Sequence, residues 1–240
     1  LFRRKKSFYK TENNLLVYHT DDDKFTTKDY EFHTEIIHRK GTKKTHKIKF
    51  HYFMSNADST IVNSNPNYFR NNLNEGSYSK LTYEYIDENR DYIVYPLKGY
   101  YIQLATTKYF QQKSPVNHFE IVAEFSKHLK IKDRLFIGSS AKGKWSSDGY
   151  QPYFAQEGFG FDDYIRGYEY YVIDGQDIYM SKTILKFALI KKTKFDIPYI
   201  RAEQFNKSHY SLYLGLFNDL GLSIDNQYEQ NNTLNNKLLW

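Results

Sequence analysis

The sequence predicts an all-β fold: an antiparallel transmembrane β-barrel, incomplete, holding about ten strands of a larger barrel and one long inward-folded loop. Three observations carry this expectation. Apolar residues recur at every second position in segment after segment, and helical periodicity is almost absent. The alternating segments run to roughly 9–14 residues, longer than the ~5–6 of an ordinary soluble strand and enough for the ~9–11 that a tilted strand needs to cross a bilayer. Long and short connections alternate between them, as when the two rims of a barrel face different compartments. A soluble sandwich also alternates, with its outer face polar, so alternation alone leaves that fold open.

The elements follow in order. Weak strand candidates lie near 2–9 and 13–20. Tyr30, Phe32, Thr34 and Ile36 then share one face, with Glu31, His33 and Glu35 on the other. Ile48, Phe50, Tyr52 and Met54 repeat the pattern, followed by an Asn/Ser-rich loop at 55–76. Leu81, Tyr83 and Tyr85 lead to a connection at 87–99 that is longer than its neighbours on the short-turn side. Tyr100, Ile102 and Leu104 form the next set, and Phe119, Ile121, Ala123 and Phe125 the one after it. A weaker strand at 134–146 precedes a long loop at 147–176. Thr183, Leu185, Phe187 and Leu189, then Tyr210, Leu212, Leu214 and Leu216, close the series before a loop at 221–236. The Asn-rich stretches at 63–74 and 226–236 are expected to be mobile loop tips.

Composition agrees with one apolar face rather than an aliphatic core. Only 40% of the 240 residues are hydrophobic, yet 18% are aromatic, with 24 Tyr and 18 Phe. Disordered chains are poor in aromatics, which argues against disorder. No run reaches the ~18 apolar residues of a membrane-spanning helix. The absence of Cys excludes disulfides and thiolate metal sites. A net charge of +6 permits anionic partners. The chain begins at Leu1 and ends inside Leu238-Leu239-Trp240, so it is read as a piece of a longer one, residues 1–240 forming a partial barrel. With two open edges such a piece is not expected to fold stably alone.

Two segments stand out as candidate sites. Pro96 and Gly99 mark a turn that feeds the strand from Tyr100, and Arg90 and Asp91 beside them are expected to form a charge pair at the rim. The 147–176 loop carries Gly158-Phe159-Gly160-Phe161 and then Ile165-Arg166-Gly167-Tyr168-Glu169. So aromatic a loop should pack, most simply inside a lumen, where Arg166 would need an acidic partner. Asp219 is the candidate, because its parity is opposite to that of Leu212, Leu214 and Leu216. Asp21-Asp22-Asp23 lacks the spacing of a calcium loop, and Asp162-Asp163 is a poor catalytic pair. His33, His38, His46 and His51 have no metal-like grouping. Arg3-Arg4-Lys5-Lys6 suits a strand near a rim as well as it suits an anion. With no phosphate loop, nucleophile elbow or zinc motif, neither an enzyme nor a cofactor is expected.

The segment Ile165-Arg166-Gly167-Tyr168-Glu169 resembles the Arg-Gly-Phe/Tyr motif of the BamA/TamA outer-membrane insertase superfamily. Asn89-Arg90-Asp91 with Tyr95-Pro96 and Gly99 resembles its Arg-Asp…Tyr/Phe-Pro…Gly turn. Leu185-Lys186-Phe187 stands where a strand follows the loop. Leu216-Phe217-Asn218-Asp219-Leu220-Gly221 resembles the hydrophobic-Phe-x-Asp-x-Gly strand. The four pieces fall in the family's order over 80–221, whereas 1–79 matches in style alone. Lys186 departs from members that place a second acidic partner for the loop Arg there, which leaves its own partner open.

The resemblance implies a barrel in the outer membrane of a Gram-negative bacterium, preceded by periplasmic POTRA domains that lie outside this sequence, as do the C-terminal strands. It implies assisted insertion or translocation of unfolded outer-membrane protein clients, with accessory lipoproteins as further partners, and no nucleic acid, ATP or metal. It also implies that Arg166 packs against Asp219, with Gly167 and Tyr168 shaping the loop tip. Two alternatives remain: a polypeptide transporter of two-partner secretion, and a soluble all-β protein that binds glycans or nucleic acid.

Overall fold

The computed structural model describes residues 2–5, 7–20, 25–111, 113, 116–156, 158–197, 199 and 206–240. Among them, ten strands form one antiparallel sheet: β1 (Phe2–Lys5), β4 (Thr27–Lys40), β5 (Lys44–Ala57), β6 (Glu75–Glu88), β7 (Gly99–Gln111), β8 (Phe119–Lys130), β9 (Leu135–Ser146), β10 (Asp177–Asp196), β11 (Lys207–Ile224) and β12 (Leu238–Leu239). The sheet is open, as an incomplete barrel must be. Each strand pairs with its neighbours in this order, so every connection within the sheet joins adjacent strands.

Residue parity assigns the faces. Leu185 pairs with Leu216 and Phe187 with Leu214, and these side chains point outward with Leu212 and Leu189. The alternate register places Lys182 opposite Asp219 and Lys186 opposite Gly215 on the inner face. There Lys186 and Asp219 are buried, whereas Leu214 is 64% and Leu216 73% exposed. The same alternation runs back through the sheet. Ile48, Phe50, Leu81, Tyr83, Leu104 and Phe125 lie outward, while Lys49, Thr82, Glu84, Gln103 and Glu124 face in. Every apolar set read from the sequence therefore faces out. Aromatics gather near both ends of this apolar wall: Phe110, Phe119 and Trp145 by the long loops, Tyr85 and Tyr100 by the short turns. That is the distribution a bilayer-spanning wall requires.

The first residues differ from the two long strands expected at 2–9 and 13–20. The first stops at Lys5, and β2 (Ser7–Glu12) and β3 (Leu15–Thr20) form a separate hairpin outside the main sheet. Asn13 and Asn14 supply its two-residue turn, with φ of 53° and 57°. Two consecutive positive φ values define the hairpin turn whose twist matches the strands, and Asn tolerates them. The 55–76 loop is also shorter than expected, because β5 reaches Ala57 and β6 begins at Glu75. Between them a short helix, α1 (Ser59–Ser64), is capped by the Asp58 carboxylate accepting from the Thr60 amide. It buries Ile61 and Val62. Likewise β11 continues to Ile224, so the last loop starts four residues later than its expected boundary of 221.

The dry core is small and lies inside the sheet's concave side. Phe159, Ile165, Ile173, Ile178 and Leu239 form one cluster, with Tyr168, Met180 and Leu234 against it. Tyr78, Tyr109 and Val116 form a second, joined by Phe53 and Phe154. Both depend on the 147–176 loop, which contributes Phe154, Phe159, Ile165 and Ile173.

The face assignment predicts a one-sided response to charge. Leu214→Arg in the full-length protein should cost roughly 2–4 kcal/mol of stability in vesicles, whereas the lumen-side change His33→Arg should cost far less. Urea titration followed by heat-modifiable gel mobility measures both. Equal losses would contradict the assignment.

Candidate functional site

The inward loop is held by its motif. Arg166 donates from Nε to Asp219 Oδ2 at 2.7 Å and from Nη2 to Oδ1 at 2.6 Å. The Arg166 backbone N–H adds a longer bond to Oδ2, 3.3 Å. This is the planar fork geometry that suits guanidinium to carboxylate. The Asp219 side chain is 2% exposed and that of Arg166 28%. The guanidinium also lies 4.0 Å from the Phe217 ring centroid. Phe217, Asp219 and Gly221 are spaced by two on β11 and so share its inner face. The third position of this triplet has a steric role. A Cβ on Gly221 would stand 2.6 Å from Ile165 Cγ1, so only glycine lets the loop seat that close. Gly167 follows Arg166 at φ +94° and donates to Glu169 Oε2. Tyr168 packs on the Phe159–Ile165–Ile173 cluster.

Further anchors were not legible in the sequence. Lys142 on β9 donates to both oxygens of Asp163, at 2.9 and 2.6 Å. Lys182 faces Asp219 across the ladder and places its ammonium 4.3 Å from the Tyr164 ring centroid. The second charge beside the Arg166–Asp219 pair is therefore another cation. Strand pairing puts both lysines on the inner face, and nothing local in the sequence says what they meet there.

The rim turn differs from the charge pair expected there. Arg90 does not bind Asp91; it binds Glu88, through both its side chain and its backbone N–H. Adjacent side chains diverge, whereas residues two apart at a strand end lie on one face. Asp91 instead caps the turn, its Oδ1 accepting backbone N–H groups of Tyr92, Leu97 and Lys98 at 2.9–3.1 Å. Gly99 is required for closure: its φ is +103°, and a Cβ would lie 2.0 Å from the Asn89 carbonyl oxygen. Its unusual length lets the turn reach across the sheet. Lys186 on β10 donates to the Pro96 carbonyl at 3.0 Å and sits 3.7 Å from the Tyr95 ring centroid. Tyr95 also meets Tyr213 on β11. Lys186 thus has a rim-turn partner rather than a place in the Arg166 network.

The remaining candidates are scattered. Asp21-Asp22-Asp23 and Lys6 lie outside the described residues. Arg3 pairs with Glu31 and Lys5 with Asp29. His33 stands opposite His51, and His38 opposite His46, across β4 and β5.

The Asn-rich stretch at 226–236 is a correction. Asn232 and Asn235 are buried, not at a mobile tip. Asn232 Oδ1 accepts from the Asn14 backbone, and Asn14 Nδ2 donates to Asn235 Oδ1 at 2.8 Å. Asn235 Nδ2 donates to the Asp174 carbonyl and to Asp225 Oδ2. This network ties the β2–β3 hairpin, the inward loop and the segment after β11 together. In the 63–74 stretch, Phe69 is buried against Tyr68 and Phe154.

No protein-family model matches this chain, and no curated protein does. Solved structures do. Among them is BamA from Haemophilus ducreyi lacking POTRA domains 1–3, at a TM-score of 0.55 and 13% identity. The fold is a BamA-like β-barrel. The match covers 83% of this chain and 42% of that one, so this chain spans under half the length of the protein it matches. At that identity the likeness is one of fold alone, and the side-chain geometry above is read from this chain's own residues.

The Arg166–Asp219 fork and the buried Asp174 each make a prediction. Arg166→Ala would leave the buried Asp219 with Lys182 alone across the ladder, a loss of at most the about 3–5 kcal/mol of a fully uncompensated pair. Asp219→Ala would leave an arginine that can rehydrate, so it should cost less, and the double mutant should lose less than the sum. Additive and equal losses in a double-mutant cycle on the full-length protein would contradict this coupling. The second concerns pH. Burial pushes the Asp174 carboxyl up to about 6, with Asp225 adding repulsion. A raised acid holds its proton in the folded state where the unfolded chain releases it, so stability falls as pH rises through about 4 to 6. Asp174→Asn should stabilise the protein near pH 7 and change little near pH 4. Thermal melts across that range check it; an unaltered pH slope would refute the assignment.

Proposed function

We propose that this chain is the barrel part of an assembly factor in the outer membrane of a Gram-negative bacterium, helping outer-membrane proteins insert or cross. The observation that carries the reading is the loop folded into the lumen and held by the Arg166–Asp219 fork within a BamA-like barrel. Physical reasoning connects that arrangement to the activity. In hydrocarbon every strand edge must be paired, so a barrel closes on itself. Assisting another barrel requires one weakly paired seam to which a client strand can add by β-augmentation. A wall that opens at one place needs bracing elsewhere. The loop supplies it by tying β9, through Lys142–Asp163, and β11, through Arg166–Asp219, to one packed unit inside the lumen.

The role proposed is mechanical rather than enzymatic. Its partners would be the outer-membrane bilayer, unfolded client barrels and accessory lipoproteins. Depletion of the full-length protein should leave clients heat-denatured in gel mobility, and an Arg166→Ala copy should restore their assembly less well than wild type. Recovery of the full-length protein in the water-soluble fraction, or normal client assembly after depletion, would refute the reading.

A further inference from the structure

We propose that the short-turn rim is a docking surface for anionic phospholipid, its cations engaging the phosphate headgroups of the leaflet in which that rim sits. The inference rests on the outer-membrane reading above and adds a partner to it. The net charge of +6 is unevenly placed. The β4–β5 turn runs Arg39-Lys40-Gly41-Thr42-Lys43-Lys44, exposed throughout. The β8–β9 turn exposes Lys132 and Arg134, and the β10–β11 hairpin exposes Lys192 and Lys194. Most acids at this rim are held locally, Asp87 by Lys44 and Glu88 by Arg90, and Asp196 on β10 is exposed. Asp133 binds Lys130 and Lys191, and Asp91 is occupied by the three turn amides. The loops of the opposite rim expose Asp162 and Glu229, while their Asp163 is paired with Lys142 and their Asp174 and Asp225 are buried.

Three further features favour a lipid surface over an acidic protein. Lys192 borders two cavities at this rim, but the cations are spread over three separate turns, which suits a plane of headgroups. Lys127 is on the lipid-facing wall between Phe125 and Leu129, all three exposed, with its ammonium 5.4 Å from the outward Tyr100 ring centroid. A lysine on that face is tolerated where it can snorkel to headgroups, and tyrosine marks the same depth. Finally, β10 and β11 project beyond β9, whose last pairing is Leu135 with Phe187. The projection sets Phe195 edge-on to Tyr210 beside Lys194, an aromatic-plus-cation composition suited to a membrane interface.

The test uses the full-length protein in detergent, titrated separately with phosphatidylglycerol, phosphatidylcholine and inorganic phosphate, with bound adducts read by native mass spectrometry. Phosphatidylglycerol should be retained best, less so as salt rises. Replacing Lys43, Lys132, Arg134, Lys192 and Lys194 by Gln should weaken that retention at least about tenfold, given a roughly fivefold contribution per cation near such a surface. The five Lys/Arg swaps that keep charge should retain it. Heat-modifiable mobility after refolding into vesicles reports insertion separately. Insertion with equal retention of both lipids, or with no loss in the Gln variant, would overturn the proposal and leave the membrane reading intact. Retention of inorganic phosphate as strong as that of phosphatidylglycerol would overturn it too, by assigning a free-anion site. Failure of wild type to insert in any vesicle would overturn both.

Discussion

A β-strand has two faces and a period of two, and one residue of slip exchanges them. This constraint governs the molecule. Leu212, Leu214 and Leu216 can meet lipid only if Tyr213, Gly215, Phe217 and Asp219 meet the lumen, and the β10–β11 register keeps that assignment over most of the hairpin. The ladders pair the interior strands of the wall on both sides, so polar side chains are free to crowd the inner face, while β4 and β11 keep open edges beyond β1 and β12. The strand ends of the loop and turn anchors, Lys142, Lys182, Lys186 and Asp219, point where this parity sends them.

Two segments enter the concave side from opposite rims. The 147–176 loop comes from the long-loop rim and carries its own apolar cluster, which lets it displace water from the wall and isolate the Arg166–Asp219 fork. The β6–β7 turn comes from the short-turn rim and is polar in its fastenings: Asp91 on turn amides, Arg90 on Glu88, Lys186 on the Pro96 carbonyl. Both converge on β10 and β11, one through Asp219 and Lys182, the other through Lys186 and Tyr213. These two strands are thereby the most heavily braced part of the wall, and they are also the longest.

The Asn network adds a third fastening of a different kind. Asn14 precedes Asn232 and Asn235 by more than two hundred residues, yet it exchanges side-chain and backbone hydrogen bonds with them in a buried setting. Amides are suited to this because each offers donors and an acceptor without a charge to desolvate. The carboxylates among them are costlier: Asp174 and Asp225 lie close together out of water, and the elevation of Asp174 is the physical sign of that cost.

The sequence by itself determined the fold class, the inner and outer faces and the positions of most strands. It also named both ends of the Arg166–Asp219 fork, one through its place on an aromatic loop and the other through parity. All of these are periodic or local properties, written in residues two apart. Only the tertiary structure decided the partners that depend on curvature and on which distant strands meet across the concave side. It separated β2–β3 from the main sheet, gave Arg90 to Glu88 rather than Asp91, sent Lys186 to the rim turn, and buried Asn232 and Asn235 where composition alone pointed to a mobile tip. Period two states which way a side chain points; how far it must reach, and what waits there, is set by register and bending summed over the whole sheet.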